Sequence, residues 1–189
     1  MKRLLLTVAK VVFFASLAAA AEPYIFLSPN VWFPHHTTST NSSGLTMGTD
    51  YSPGPGVSGA FSVITNRGLR IEYELSYREA QAKHGNEDTW AVSSMLNLWQ
   101  QLHISNNISA YAGGGIGFAR SHVASHGSVD QTGSGLGYQA GFGLDFRLTQ
   151  RLFVDAGYRY FGVADTATHA IGPVDQAGSS MLVGLRFML

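Results

Sequence analysis

The sequence predicts an all-β protein, an eight-stranded antiparallel up-and-down transmembrane β-barrel. Three observations lead to this fold class. Apolar and polar residues alternate with a period of two in one segment after another, the joints between the segments alternate between short and long, and an export signal precedes them. In addition, 13 % of the 189 residues are charged, about half the ~25 % that is usual for a soluble domain.

The N-terminus has the pattern of an export signal. The first three residues carry two positive charges, the next fourteen are mostly apolar, and four alanines precede Glu22. This order is typical of a secretory signal peptide. We therefore expect residues 1–21 to be cleaved and residues 22–189 to form a single outer-membrane β-barrel domain. A retained membrane anchor is the alternative, but Lys10 interrupts an apolar run that is too short for a span of ~20 residues.

The strands are predicted from the period-two alternation. In residues 69–78, every odd position is apolar or aromatic and every even position is polar. A period of two predicts a strand with one apolar face and one polar face, whereas a helix would scatter the charges around its circumference. Seven further segments follow the same pattern with different strictness: residues 24–33, 57–63, 90–98, 111–118, 134–148, 152–161 and 180–189. Together with residues 69–78 they give eight strands.

The joints between these strands alternate in length. Short turns are predicted at residues 65–68, 103–107 and 149–151. Longer polar links are predicted at residues 34–55, 81–88, 121–133 and 163–178. Antiparallel neighbours that are joined alternately by short and long connections form an up-and-down meander.

The two strand faces favour a membrane barrel over a soluble one. One face carries Leu, Val, Ile, Phe and Tyr, which suit contact with lipid, and the other mixes glycine with arginine and carboxylate. These features and the absence of cysteine fit a bacterial outer-membrane barrel. A secreted lipocalin-like barrel is the soluble alternative, although we would expect more lysine on its polar face and more even loops.

The inward face is predicted to hold a charge network in the lumen. The interior of an eight-stranded barrel is just wide enough for side chains, and buried charges are costly unless they are paired. We therefore expect packed salt bridges, with an ion pathway as the alternative. The predicted members of the network are Arg70, Glu72, Glu74, Arg78, Asp145, Arg147, Asp155, Arg159 and Arg186.

Four segments carry a resemblance to a known superfamily: residues 69–77, 108–119, 155–160 and 183–187. They resemble the small outer-membrane barrels of the OmpA-like, OmpX-like and opacity-type porin family proteins. The resemblance implies the cell outer membrane of a Gram-negative bacterium, with membrane lipid and lipopolysaccharide as partners. It does not indicate one activity, because this superfamily includes adhesins, serum-resistance factors, antigens and structural proteins.

The C-terminal strand resembles the signal that the outer-membrane insertion machinery reads. Such signals usually end on an aromatic residue. This chain departs from that pattern because it ends on Leu189, with Phe187 two places earlier on the same face. The resemblance therefore implies the insertion machinery as a partner, with less efficient recognition.

One short motif points to an enzyme. His103-Ile104-Ser105-Asn106 resembles the motif of outer-membrane lipid A deacylases, in which a histidine activates a serine. Counting strands from a periplasmic N-terminus places this motif in a periplasmic turn, whereas lipid A occupies the outer leaflet. We therefore predict no catalytic residues and no enzyme activity, with a lipid-modifying hydrolase kept as an alternative.

Histidines are concentrated in the long links. Six of the seven lie within these links or at their edges. His35, His36, His122 and His126 are a hypothetical loop cluster for Zn²⁺ or Cu²⁺, because neutral imidazole binds both ions. The alternative is that polar loops simply contain scattered histidines, and we predict no cofactor.

Composition limits the remaining function classes. There is no cysteine, which excludes thiolate sites, and no cluster of Lys and Arg, which excludes a basic nucleic-acid binder. The sequence therefore predicts a non-catalytic structural or surface-interaction scaffold, similar to an adhesin or antigen. Its extracellular loops would recognise a host or surface ligand. A narrow, low-conductance porin-like channel is the alternative.

Overall fold

The computed structural model describes residues 21–35, 37–40, 46–83, 87–125, 131–165 and 176–189. The strands of this part of the chain are β1 (Ala21–Pro34), β2 (Thr37–Thr40), β3 (Thr46–Thr49), β4 (Gly54–Thr65), β5 (Leu69–Gln81), β6 (Glu87–His103), β7 (Ile108–Ser125), β8 (Gln131–Arg147), β9 (Leu152–Asp165) and β10 (Gln176–Met188). Within the described residues, no helix has the length and apolar character that would carry the chain across a membrane.

Eight of these strands form a closed barrel. β4 to β10 pair antiparallel in chain order, and β1 closes the sheet by pairing with both β4 and β10. The predicted eight-stranded up-and-down barrel is therefore confirmed. β2 and β3 form a separate two-stranded hairpin inside the first long link, where the sequence had predicted only a loop.

The barrel has two different ends. The end with the short connections, residues 66–68, 104–107 and 148–151, also holds both ends of the described chain, and the Leu189 amide donates to the Pro23 carbonyl at 3.0 Å. Gly68 adopts a φ of 76° in the first turn, a conformation that glycine reaches without a Cβ penalty. We call this the short-turn end, and the opposite end the long-loop end.

Several strands are longer than the sequence pattern predicted. β6, β7 and β8 have 17, 18 and 17 residues, whereas about 9–11 residues suffice to cross a membrane. Ser121 and Gly133, predicted as loop residues, pair with each other in the β7–β8 ladder. The wall thus extends beyond the membrane at the long-loop end, where strands no longer need an apolar outer face and the alternation fades.

Side chains are distributed inside out relative to a soluble protein. Phe61, Leu96 and Phe118 point outward and are each more than half exposed. Arg70 and Glu72 point inward and are buried. The apolar outer belt can be covered by lipid, while the polar groups are enclosed in the lumen, which makes the lumen the first place to look for a site.

Candidate functional site

The lumen holds eight buried charged side chains among the described residues. β5 supplies half of them, because its even positions face inward. The eight are Arg70, Glu72, Glu74, Arg78, Asp145, Asp155, Arg159 and Arg186. Four arginines thus face four carboxylates, so this set carries no net charge.

The first group of ion pairs, the Arg70 cluster, lies towards the short-turn end. Arg70 Nη1 is 3.3 Å from Asp145 Oδ2, and Arg70 Nη2 is 3.6 Å from Asp155 Oδ2. Arg186 Nη2 approaches the same Asp145 oxygen at 3.0 Å. The Tyr111 hydroxyl donates to Asp155 Oδ1 at 2.6 Å, and the Arg70 guanidinium lies 4.6 Å from the centre of the Tyr111 ring. Asp145 is therefore held between two arginines.

The second group, the Arg159 cluster, occupies the middle of the lumen. Arg159 contacts Glu74 directly, and its Nη2 is 3.5 Å from Glu72 Oε1. Asn97 Nδ2 donates to Glu72 Oε1 at 3.2 Å and to Glu74 Oε2 at 3.0 Å. Trp99 Nε1 donates to Glu72 Oε1 at 3.0 Å. Each carboxylate thus has an arginine and at least one neutral donor.

A longer contact joins the two clusters. Arg70 Nη2 is 4.0 Å from Glu72 Oε2, and the Tyr24 hydroxyl lies between these side chains. Tyr24 accepts a hydrogen bond from Arg70 Nε at 2.9 Å and donates one to Glu72 Oε2 at 3.3 Å. The network is therefore continuous from the short-turn end to the middle of the barrel.

The structure places two of the nine predicted network residues apart from these clusters. Arg78 is buried, but its Nη2 donates to Ser76 Oγ at 2.6 Å and its guanidinium lies 3.8 Å from the Phe161 ring centre. Among the described residues, no carboxylate lies within 4.0 Å of Arg78. Arg147 is exposed, because it is the last residue of β8 and lies beyond the network at the short-turn end.

Sequence reasoning left out the neutral members of the network. Tyr24, Asn97, Trp99, Tyr111 and Gln139 are all buried in the lumen. Each lies on the inward-facing parity of its strand, so the alternation that located the charges also contained the signal for these partners. What it could not give is which of the inward residues meet across the barrel.

Towards the long-loop end the lumen contains two clusters of apolar side chains. Met95, Ala119, Phe161 and Val163 form one buried cluster. A second buried cluster consists of Trp32, Tyr51 and Ala80. We call these two clusters the apolar layer. Arg78, Ser76 and Ser93 are buried beside them, so the long-loop half of the lumen is filled by apolar side chains mixed with polar ones.

A small cavity opens at the short-turn end. Its volume is about 90 Å³, and Ser109, Asp145 and Arg186 contribute to its lining. Water can therefore approach the edge of the Arg70 cluster from this end.

The candidate enzyme motif lies in a turn at the short-turn end. His103, Ser105 and Asn106 are exposed. Ser105 Oγ accepts a hydrogen bond from the Asn107 amide at 3.4 Å, which is a local contact of the turn. Among the described residues, no hydrogen bond joins His103 to Ser105. Nucleophilic catalysis would require a base within reach of the serine.

The hypothetical metal cluster is described only in part. His36 and His126 lie outside the described residues. His35 lies 3.2 Å from Ser179 Oγ on β10, whereas His122 on β7 stacks on Trp90 with ring centres 5.3 Å apart. Two strands separate β10 from β7 along the shorter arc of the barrel, and four along the longer one. Within the part of the chain that is described, no group of three or more potential ligands is placed to hold a metal ion.

Comparison with known proteins identifies the barrel. Residues 6–187 match the model of the outer membrane protein beta-barrel domain. The chain belongs to this family. The protein is accordingly an outer-membrane protein. Barrels of this type generally have short periplasmic turns and long extracellular loops. A comparison of the sequence with curated proteins gives no significant match.

Several solved structures share the fold. Neisserial surface protein A (NspA) is 16 % identical with a TM-score of 0.59, over 88 % of this chain and 97 % of that one. OprG from Pseudomonas aeruginosa is 14 % identical with a TM-score of 0.56, over 90 % and 97 %. Ail, the attachment invasion locus protein of Yersinia pestis, is 17 % identical with a TM-score of 0.53, over 89 % and 99 %. At such low identity these likenesses establish the fold alone.

Proposed function

We propose that this protein is a non-catalytic scaffold that presents its extracellular loops for surface interactions and does not conduct ions. The observation that carries the proposal is the filled lumen. Arginines and carboxylates neutralise one another in its periplasmic half and middle, and the apolar layer, with Arg78 and several buried serines beside it, occupies its extracellular half. A path for ions would have to cross both.

The physical cost of conduction supports a closed barrel. A permeating ion would have to separate pairs such as Arg186–Asp145, which are 3.0 Å apart, and leave buried charges without partners. Removing a partner from a buried ion pair costs about 3–5 kcal/mol. Beyond the ion pairs, the ion would have to pass the packed side chains of the apolar layer and the buried Arg78 guanidinium.

The extracellular side has the features of a recognition surface. The β2–β3 hairpin gives the first loop a backbone framework of its own, and loops on a rigid scaffold are common carriers of binding function. Two structural neighbours have names that refer to the cell surface or to attachment: Neisserial surface protein A and the attachment invasion locus protein of Yersinia pestis. We infer that the partner is a host or cell-surface molecule that contacts these loops.

Two experiments test the proposal. In planar bilayers, the purified protein should give no long-lived uniform openings, and such openings would instead establish the channel alternative. Replacing residues 37–49 with a short Gly–Ser linker should leave the folded barrel intact and reduce its binding to host matrix or whole cells. Replacement of the periplasmic turn, residues 104–107, by another four-residue turn is the matched control and should leave binding unchanged.

The absence of catalysis belongs to the same proposal. The exposed turn that holds His103 and Ser105 lies on the periplasmic side, away from the leaflet that contains lipid A. Mass analysis of lipid A from cells with and without the protein should show identical acylation. Loss of an acyl chain that depends on Ser105 would contradict this part of the proposal.

The remaining expected partners act during export and insertion into the outer membrane. We infer that residues 1–21 are removed on export and that β10 is read by the outer-membrane insertion machinery. Phe187 points outward on this strand and is 42 % exposed, so it is available for recognition before the barrel closes. Phe187→Ala should therefore slow insertion, measured as the rate at which the heat-modifiable form accumulates, and an unchanged rate would argue against this role of β10.

A further inference from the structure

A bulge in the barrel wall lies at the extracellular rim between β4 and β5. Tyr51 pairs with Ala82, and Gly56 pairs with Arg78. Residues 52–55 therefore face only residues 79–81, which leaves one extra residue on the first side. Pro53 and Pro55 have no N–H group to donate to a ladder, and an extra residue of this kind bends a strand locally.

The bulge forms one wall of a pocket, which we call the rim pocket. Its volume is about 450 Å³, within the ~300–1,000 Å³ range of small-molecule sites. The other walls come from β5 and β6, where Glu79 pairs with Trp90 and Gln81 pairs with Asp88. The lining residues are Ser52, Pro53, Gly54, Pro55, Glu79, Ala80, Gln81, Asp88, Thr89 and Trp90.

The rim pocket lies on the outer wall, just beyond the apolar belt. On β5, Glu79 is the next outward-facing residue after Leu75 and Tyr77. On β6, Asp88 lies two positions before Trp90 in the chain and therefore closer to the rim. The pocket therefore faces the aqueous side of the membrane surface. It lies at the base of the first two long loops and is separate from the ion pairs of the lumen.

The position of its chemical groups is fixed by neighbouring contacts. The Tyr77 hydroxyl donates to Glu79 Oε2 at 2.6 Å and holds that carboxylate in place. The His122 ring stacks on the Trp90 indole at 5.3 Å and 28°. A β-carbon on Gly54 would overlap the Glu79 carbonyl oxygen, so the close approach of the bulge to β5 depends on this glycine.

The charge of the pocket selects its ligand. Glu79 and Asp88 supply two carboxylates, and none of the lining residues, all of them within the described chain, is basic. Lys83 and Arg120, on adjoining stretches of the wall, do not contribute to the lining. A carboxylate pair attracts a cation, and an indole face adds cation–π attraction for an organic ammonium group.

We propose that the rim pocket binds an alkylammonium group, carried either by a free polyamine or by a lysine side chain of a peptide. The ammonium group would contact the carboxylates of Glu79 and Asp88, and the adjoining methylene chain would pack on Trp90 and the two prolines. The site would act without any contribution from the ion pairs of the lumen. The loop recognition is tested at residues 37–49, none of which lines the rim pocket, so either proposal can fail alone.

The test is calorimetric titration of the full-length barrel, folded in a zwitterionic detergent, at low salt. Spermidine is the probe for a free amine and trilysine the probe for a peptide. The double variant Glu79→Gln/Asp88→Asn should weaken binding of the better probe at least tenfold, and Trp90→Leu should weaken it severalfold. Glu22→Gln, which neutralises an exposed carboxylate at the periplasmic end, is the matched control and should leave binding unchanged.

The heat-modifiable gel shift shows that each variant is folded before it is titrated. Binding of either probe that is lost with the two carboxylates supports the proposal and identifies the source of the amine. Failure of both probes to bind the wild type overturns it. Undiminished binding in the double variant also overturns it, as does equal binding of the neutral sugar maltose or of Ca²⁺, which would assign the pocket to another ligand class.

Discussion

Replacing Arg70 with methionine should be among the most destabilising single changes in the lumen. Its guanidinium lies within 3.3–4.0 Å of three carboxylates, those of Asp145, Asp155 and Glu72. Methionine has a similar length and fills much of the same space. The substitution therefore removes the charge and its hydrogen bonds with little loss of volume.

The expected magnitude follows from what remains. Asp145 keeps Arg186 at 3.0 Å, whereas Asp155 loses its ion pair with Arg70 and keeps the Tyr111 hydroxyl at 2.6 Å. One negative charge of the buried set is then uncompensated. Loss of one partner from a buried ion pair costs about 3–5 kcal/mol, and loss of the cation–π contact with Tyr111 adds to this cost.

The measurement is the free energy of unfolding in urea, for the protein folded into lipid vesicles under reversible conditions. Arg147→Met is the control, because Arg147 is exposed and should change stability by no more than about 0.5 kcal/mol. Adding Asp155→Asn to Arg70→Met removes the uncompensated charge and should recover a large part of the loss. Equal costs for the Arg70 and Arg147 variants would show that water screens the lumen charges, and the reasoning would be refuted.

Three further outcomes are expected. Leu96→Arg places a charge on the outward face near the middle of β6, where Leu96 is 56 % exposed, and should lower the free energy of unfolding by about 2–4 kcal/mol. Leu96→Phe should be nearly neutral. Equal losses for the two variants would mean that the faces are reversed. Gly143→Ala should cost about 1–3 kcal/mol by overpacking against the Tyr111 hydroxyl, while Gly59→Ala, with its nearest contact at 3.8 Å, should not. Because every barrel strand is paired on both sides, unboiled protein should migrate faster than boiled protein in detergent gels, and identical mobility would contradict the closed barrel.

The architecture was predictable because, in a membrane barrel, alternate positions along each strand must face the lipid and the lumen. Leu75 and Glu74 differ by one position along β5, yet one faces outward and the other is buried. That rule holds wherever lipid covers the outer face, and it located the strands and the lumen charges. It fails beyond the membrane, which is why the pairing of Ser121 with Gly133 and the β2–β3 hairpin were not anticipated.

The partners within the lumen could not be predicted in the same way. Parity shows that Arg78 and Arg159 both face inward, but the height of each strand in the barrel decides which groups meet. Arg159 meets Glu72 and Glu74, whereas Arg78 lies nearer the extracellular side against Phe161. Such heights depend on the stagger between strands, which no local pattern encodes.

The high glycine content follows from the narrow lumen. The Tyr111 ring lies between Gly143 and Gly157, where a β-carbon on either would crowd its hydroxyl. That hydroxyl donates to Asp155 while the ring supports Arg70. Glycine on β8 and β9 thus makes room for the aromatic side chain that holds the charges in place. The small residues that the sequence places on the inward face are therefore what allows the narrow interior to be filled.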